Sequence, residues 1–157
     1  MKLDSIDIRI LKELQRDADQ TNLALAETVG LSAPACLKRV HKLKAEGVIE
    51  RVVAVVSAQA IGRRLNMVVE VEMSSDDMRL ANQFINAIDQ SPEVKQCYKV
   101  TGSVDFVLIV NVADVFEYDA FCQRVIYAQE GMKKFTTLIS LRCTKFDLSQ
   151  GGLASLY

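Results

Sequence analysis

The sequence is poor in the residues from which most active sites are assembled. Its one histidine is His41, and its four cysteines, Cys36, Cys97, Cys122 and Cys143, stand far apart with no C-x-x-C spacing. No Cys/His pair, metal-ligand cluster or paired carboxylates stand out for nucleophilic, metal or acid–base chemistry. This scarcity argues against an enzyme and implies neither cofactor nor metal. Widely spaced thiols read as buried free cysteines in a reducing compartment. Long apolar runs are missing too: residues 52–56 and 106–110 are far shorter than the roughly 20 residues a membrane helix needs. Residues 1–4 do not begin a signal peptide. A cytoplasmic protein with no membrane partner is expected.

What is present fits an ordinary soluble chain: 157 residues, half of them hydrophobic and 25% charged. The net charge of −1 hides a division along the chain. Between Ser32 and Ala45 lie Lys38, Arg39, Lys42 and Lys44 with no acid. A solvated helix face usually mixes signs, so this stretch suggests an anionic partner, with DNA the leading candidate.

The same stretch reads as a helix. Ser32 can N-cap it, Pro34 suits its first turn, and Gly47 can close it. At about 100° per residue, Leu37, Val40, Leu43 and the stem of Lys44 share one face, and Lys38, Arg39 and Lys42 the opposite one. Upstream, Asp4 caps a first helix that carries Ile6, Ile10, Leu11 and Leu14 at helical spacing, with Asp7 completing a capping box. Thr21 or Asn22 caps a second, which presents Leu25, Ala26 and Val29 before Gly30 permits a tight reversal. Helix, short helix, glycine turn and helix match a helix-turn-helix, whose last helix enters the major groove. A plain three-helix bundle with solvated cations would share the helix pattern but does not account for the acid-free run.

Beyond Gly47 the composition turns β-branched. Residues 48–56 read as a strand-like connector, and 57–64, containing Gly62, as the hinge. Met67, Val69, Val71 and Met73 then alternate with polar residues as a strand, and Ala81, Phe84, Ile85 and Ile88 mark a helix ending before Pro92. Strands follow at 94–100 and 106–112, a helix runs through Tyr118, Phe121, Cys122, Val125 and Ile126 to about Gly131, and a last strand covers 135–145. The expected class is α+β: an N-terminal three-helix helix-turn-helix domain (1–50), a linker (51–63), a C-terminal ferredoxin-like βαββαβ domain (64–146) and a loose tail (147–157). Such a sheet has helices on one face only. An open face bearing Val, Met and Leu predicts self-association, at least to a dimer.

The chain resembles the Lrp/AsnC family of feast/famine regulators along nearly its whole length. The resemblance is carried by Leu3-Asp4-Ser5-Ile6-Asp7-Ile8-Arg9-Ile10-Leu11, Val29-Gly30-Leu31-Ser32, Cys36-Leu37-Lys38-Arg39-Val40, Gly47-Val48-Ile49 and Val100-Thr101-Gly102-Ser103-Val104-Asp105-Phe106-Val107-Leu108. It implies a regulator that binds double-stranded DNA, forms homodimers that assemble to octamers, and takes a small effector, an amino acid, between dimers. The helix-turn-helix would span 22–41, with Ser32, Pro34, Ala35, Lys38, Arg39 and Lys42 at the DNA and Thr21 and Asn22 on phosphate. Arg39 has the geometry for a bidentate guanine contact, and Lys38 and Lys42 suit phosphates, leaving specificity to Arg39 and Ser32. His41 reads as a partly exposed helix position.

The effector would meet Val100, Thr101, Gly102, Ser103 and Asp105, joined by Thr136, Thr137, Leu138, Ile139 and Ser140. Asp105 would take its ammonium, and N–H groups near Gly102 and Ser103 with a threonine hydroxyl its carboxylate. The family commonly has Gly-Asp-x-Asp where this chain has Gly102-Ser103-Val104-Asp105, so Asp105 is left as the one obvious ammonium partner. Two other readings remain: an enzyme like the sirohaem decarboxylases, disfavoured because the second domain has no histidine, and an amino-acid-binding assembly protein that does not bind DNA, disfavoured by the basic helix.

Overall fold

A computed structural model describes residues 2–149. The chain divides into two compact units, a first reaching to Val55 and a second spanning Val56–Thr144.

The first unit holds α1 (Ser5–Arg16), α2 (Asn22–Val29) and α3 (Ala33–Ala45). Asp4 begins α1 through a complete capping box: its Oδ1 accepts from the Asp7 N–H at 2.8 Å and its own N–H donates to Asp7 Oδ2 at 3.2 Å. Of the two cap candidates for α2, Thr21 is the cap, accepting from the Ala24 N–H. Gly30 then turns the chain at φ +69°, a conformation costly for any side chain bearing a Cβ. Ile10, Leu11, Leu25, Ala26, Val29, Cys36 and Leu43 close a core beneath the three helices.

The buried stripe of α3 departs from expectation. Cys36 and Leu43 are buried and Arg39 and Val40 half-buried, whereas Leu37 and Lys44 are exposed. The inward face is thus rotated by roughly 60° from the one that apolar spacing suggested. Cys36 packs as a small hydrophobe, and Arg39 finds acids on α1.

Residues 50–56 are extended coil, not strand, and Val52, Val53, Val55 and Val56 are exposed. β-Branched composition favours a strand only where a neighbour supplies the ladder. The expected hinge at 57–64 is instead a folded turn. Ser57 accepts from Ala60 and Ile61, Gly62 N–H donates to Gln59 O, and Arg63 N–H donates to Ala58 O.

The second unit carries β1 (Leu65–Met73), α4 (Met78–Asp89), β2 (Val94–Lys99), β3 (Phe106–Val112), α5 (Val115–Phe121), continued by a π-helical turn (Cys122–Ile126), and β4 (Met132–Ile139). The sheet is antiparallel in the order β2-β3-β1-β4, as expected for the βαββαβ arrangement. β4 begins three residues earlier than expected and ends at Ile139, so 140–145 is not strand. Met67, Val69, Val71 and Met73 of β1 and Phe106, Leu108, Val110 and Val112 of β3 face α4, α5 and the π turn. The methionines expected on the open face are therefore inside. That face carries half-buried Val68, Val107 and Ile109 with exposed Leu138 and Tyr98.

Cys36 and Cys122 are buried free thiols as expected, but Cys97, on edge strand β2, and Cys143, beyond β4, are exposed. Asp147 and Ser149 are exposed, and the rest of the expected tail, including Gly151, Gly152 and Tyr157, lies outside the described residues.

Phe84 is fully buried and stacks against Phe106 with ring centroids 5.0 Å apart. Phe84→Ala is expected to destabilise the second unit by about 3–5 kcal/mol, read as a lower urea midpoint. A change below about 1 kcal/mol would mean that this core is not the unit's main support.

Candidate nucleic-acid interface and ligand site

On α3 the outward residues Pro34, Lys38, His41, Lys42 and Ala45 are all exposed. Their spacing of four, three, one and three residues places them on one stripe. Ser32 precedes the stripe, exposed, and makes no side-chain cap bond to the helix it starts. Its hydroxyl is not committed to the helix. Ala35 is half-buried at the stripe's edge. Leu37, 43% exposed, flanks it on the other side.

Arg39, expected at a guanine, is not part of that stripe, and its guanidinium is engaged within the unit. Its Nη1 donates to Asp4 Oδ2 and Asp7 Oδ1, both at 2.7 Å. Asp7 is almost fully buried, so this guanidinium neutralises an acid that water cannot reach. Arg39 therefore ties α3 to the first turn of α1 across 35 residues of sequence. The Asp7 N–H and the Arg39 guanidinium hold the Asp4 carboxyl below its ordinary pKa. The Asn22 side chain is engaged within the unit too: its Nδ2 donates to Ala33 O at 2.8 Å and links the start of α2 to that of α3. Thr21 is exposed, and as its hydroxyl accepts from Ala24 N–H, its proton remains available to an anion.

In the second unit residues 100–105 close the β2–β3 hairpin, with Val100 N–H donating to Asp105 O at 2.9 Å. Thr101, Gly102 and Ser103 are exposed, and Gly102 sits at φ +127°. Asp105 is half-buried and uses Oδ2 to accept from Met73 N–H at 2.7 Å, so one carboxylate oxygen caps the end of β1. Thr136, Thr137, Leu138 and Ile139 pair with Glu70, Val69, Val68 and Met67 on the other side of β1. Ser140 N–H donates to Asn66 O.

One chain does not bring the two groups together. The hairpin adjoins the Val71–Met73 end of β1 and Ser140 the opposite end, at Asn66, and at about 3.3 Å per residue the two are roughly 17–23 Å apart along the strand. Thr136 comes nearest. Thr137 is already engaged, sharing a hydrogen bond with the Tyr118 hydroxyl. Burial pushes that phenol's pKa well up, so it is a neutral partner.

The sequence reading missed two features. His41 lies near the middle of the α3 stripe, where helical phase measured from Cys36 instead of Leu37 would have placed it. Lys133 sits at a register shift in β4, where it pairs with Glu72 at 2.6 Å; that pairing, and to a lesser degree the nearby Asp105 charge, raises its pKa. Among the described residues no group of His, Cys, Asp and Glu could hold a metal.

Comparison with known proteins gives a consistent setting. The family model for the Lrp/AsnC ligand binding domain matches residues 66–149, and that for a winged helix-turn-helix DNA-binding domain matches residues 3–50. An HTH-type transcriptional regulator of Sinorhizobium fredii is 37% identical over 88% of this chain and 82% of its own length. The leucine-responsive regulatory protein of Rhizobium meliloti is 34% identical over 92% and 93%. A transcriptional regulator of Neisseria meningitidis, solved in complex with L-Met, superimposes with a TM-score of 0.91 at 26% identity, covering 96% of this chain and 97% of that one.

The Arg39 cluster has a measurable signature. Arg39→Ala is expected to destabilise the first unit by roughly 1–3 kcal/mol by leaving Asp7 buried without its cation. Because the folded-state pKa of Asp4 is lowered, its contribution is present above the unfolded value of about 3.9 and is lost as pH falls through the folded value. Thermal melts from pH 6 down to about 2 should therefore fall less steeply in Arg39→Ala than in wild type. Identical slopes would contradict the assignment.

Proposed function

The chain belongs to the Lrp/AsnC family of transcriptional regulators, and on that premise we propose that it reads DNA with one stripe of α3 and responds to an amino acid held by its second unit. As a member of this family it is a DNA-binding helix-turn-helix regulator with a ligand-binding domain, and it is not an enzyme. The observation carrying the reading is the exposed stripe of Pro34, Lys38, His41, Lys42 and Ala45, which pairs two cations with a histidine on the outer face of the last helix.

In this reading Lys38, Lys42 and Thr21 hold phosphates, while Ser32, Ala35 and His41 meet base edges and Pro34 lies against the groove. Arg39 and Asn22 act behind the interface by fixing the angle of α3. Two recognition helices reach half-sites about one helical turn apart when two chains associate through the apolar row Val68, Val107, Ile109 and Leu138. Further assembly to an octamer brings residues 136–140 of one chain toward residues 100–105 of another, completing a pocket that one chain leaves open. The protein acts in the cytoplasm, where it meets both DNA and free amino acids.

An amino acid suits the chemistry of the loop. Asp105 keeps its second carboxylate oxygen for an ammonium, and Thr101, Gly102 and Ser103 offer hydroxyl and N–H donors to a carboxylate. The L-Met complex of the Neisseria meningitidis regulator and the leucine-responsive name of the Rhizobium meliloti relative support this ligand class.

Lys42→Ala should weaken binding to target and random duplexes by similar factors and flatten the slope of log K against log salt by about one. His41→Ala should instead lower the target-to-random ratio about tenfold. Equal losses on both DNAs for both variants would contradict this division. For the ligand site, Asp105→Asn keeps an acceptor for Met73 N–H but removes the charge. Calorimetry with L-methionine and L-leucine should show at least a roughly tenfold loss for whichever binds wild type, and unchanged affinity would misplace the site.

A further inference from the structure

The first turn of α5 makes three side-chain hydrogen bonds to other parts of the second unit. Glu117 accepts from Arg63 Nη1 at 2.9 Å and from Ala113 N–H at 2.7 Å. Its neighbour Tyr118 shares a hydrogen bond with Thr137 of β4. Arg63 ends the folded turn through which the linker enters this unit, and its Nη1 also donates to Asn111 O at 2.8 Å. The buried Asn111 side chain returns the contact, donating to the carbonyls of Arg63 and Leu65 at 3.3 Å and to Asn66 Oδ1 at 2.8 Å. Asp114 caps α5 by accepting from the N–H groups of Phe116 and Glu117, which fixes the start of the turn that carries Glu117 and Tyr118.

We propose that α5 is the coupling element between the ligand-binding strand and the linker, with Arg63, Glu117 and Tyr118 as positioning residues that carry the effect of an occupied site to the DNA-binding unit. The proposal rests on the effector reading above only in taking β4 as a wall of the site. β4 is an edge strand hydrogen-bonded to β1 alone. A ligand that displaces it meets less resistance than at a central strand. Displacement of Thr137 pulls Tyr118, and the same helical turn carries Glu117 and thereby Arg63. The flanking extended stretch 50–56 forms no ladder among the described residues, so a shift at Arg63 changes where the linker leaves the unit without breaking a sheet. The path is a contiguous chain of hydrogen bonds across one rigid turn, and coupling energy is what tests it.

The test uses the full-length protein, an equimolar mixture of the twenty common amino acids as probe, and the variants Tyr118→Phe, Arg63→Gln and Arg63→Lys. Ligand binding is read as the rise in melting temperature caused by the mixture, and coupling as the mixture's effect on DNA affinity by fluorescence anisotropy. The expected result is that Tyr118→Phe and Arg63→Gln keep the wild-type melting rise and ligand-free DNA affinity, while the ligand-induced change in DNA affinity falls to within about twofold of none, against a typical coupling of about 5–150-fold. Arg63→Lys, which keeps a cation for Glu117, should recover part of it. Should Arg63→Gln fail to fold, Tyr118→Phe decides alone. A full ligand-induced change in Tyr118→Phe overturns the coupling role and leaves the effector reading standing. Loss of the melting rise together with the coupling overturns it too, by making these residues part of the binding site. A wild type that shows neither a melting rise nor a change in DNA affinity overturns the effector reading, and the coupling role with it.

Discussion

Asp7 is an acid almost out of reach of water, and the fold satisfies it with a cation from 32 residues away. Leaving that carboxylate without its cation costs about 1–3 kcal/mol, which holds Arg39 on the inner side of α3. That requirement sets the rotation of α3 about its own axis. With Arg39, Cys36, Val40 and Leu43 turned inward, helical geometry leaves Pro34, Lys38, His41, Lys42 and Ala45 facing out. The composition of the outward face of α3 thus follows from an ion pair on its inner side. The Asn22 bond to Ala33 O and the αL conformation of Gly30 fix the remaining freedom, the angle between α2 and α3.

The second unit works from a different constraint. A four-stranded sheet with both helices on one face buries its alternate residues completely, and the opposite face keeps an apolar row that is only partly covered among the described residues. The same asymmetry leaves β2 and β4 as edges. Apolar surface that one chain cannot cover favours association, and edge strands next to an exposed hairpin are places where a ligand can be held between copies. Asp105 ties the hairpin to this sheet: one of its carboxylate oxygens closes the end of β1 by accepting from Met73 N–H.

Much of this was legible in the sequence. The helices and strands followed from apolar periodicity because spacing reports directly which side chains are buried. The glycine reversal at Gly30 and the capping box at Asp4 and Asp7 were readable because their residue types have few other uses. What failed was long-range pairing. Nothing local distinguishes Arg39, which pairs with Asp4 and Asp7, from Lys38 and Lys42, and apolar spacing points Leu37 inward where the structure buries Cys36. Residues 50–56 have strand propensity without a neighbour, and propensity alone does not form a ladder. Lys133 was overlooked because it reaches Glu72 at a register shift that no alternation pattern marks. Residues 100–105 and 136–140 are grouped by resemblance, and in one chain they lie on opposite sides of β1, with Thr136 nearest the hairpin and Ser140 at the far end.

The central claim is that the outward stripe of α3 reads a DNA sequence under the control of a small ligand. The most direct measurement is selection of duplexes from a random pool by the full-length protein at about 150 mM salt, repeated with and without a mixture of the twenty common amino acids. The account predicts enrichment of a motif with two half-sites about one helical turn apart, retained to a different extent when the mixture is present. Recovery of unenriched random sequence in both conditions, with binding that disappears as salt is raised, would contradict it.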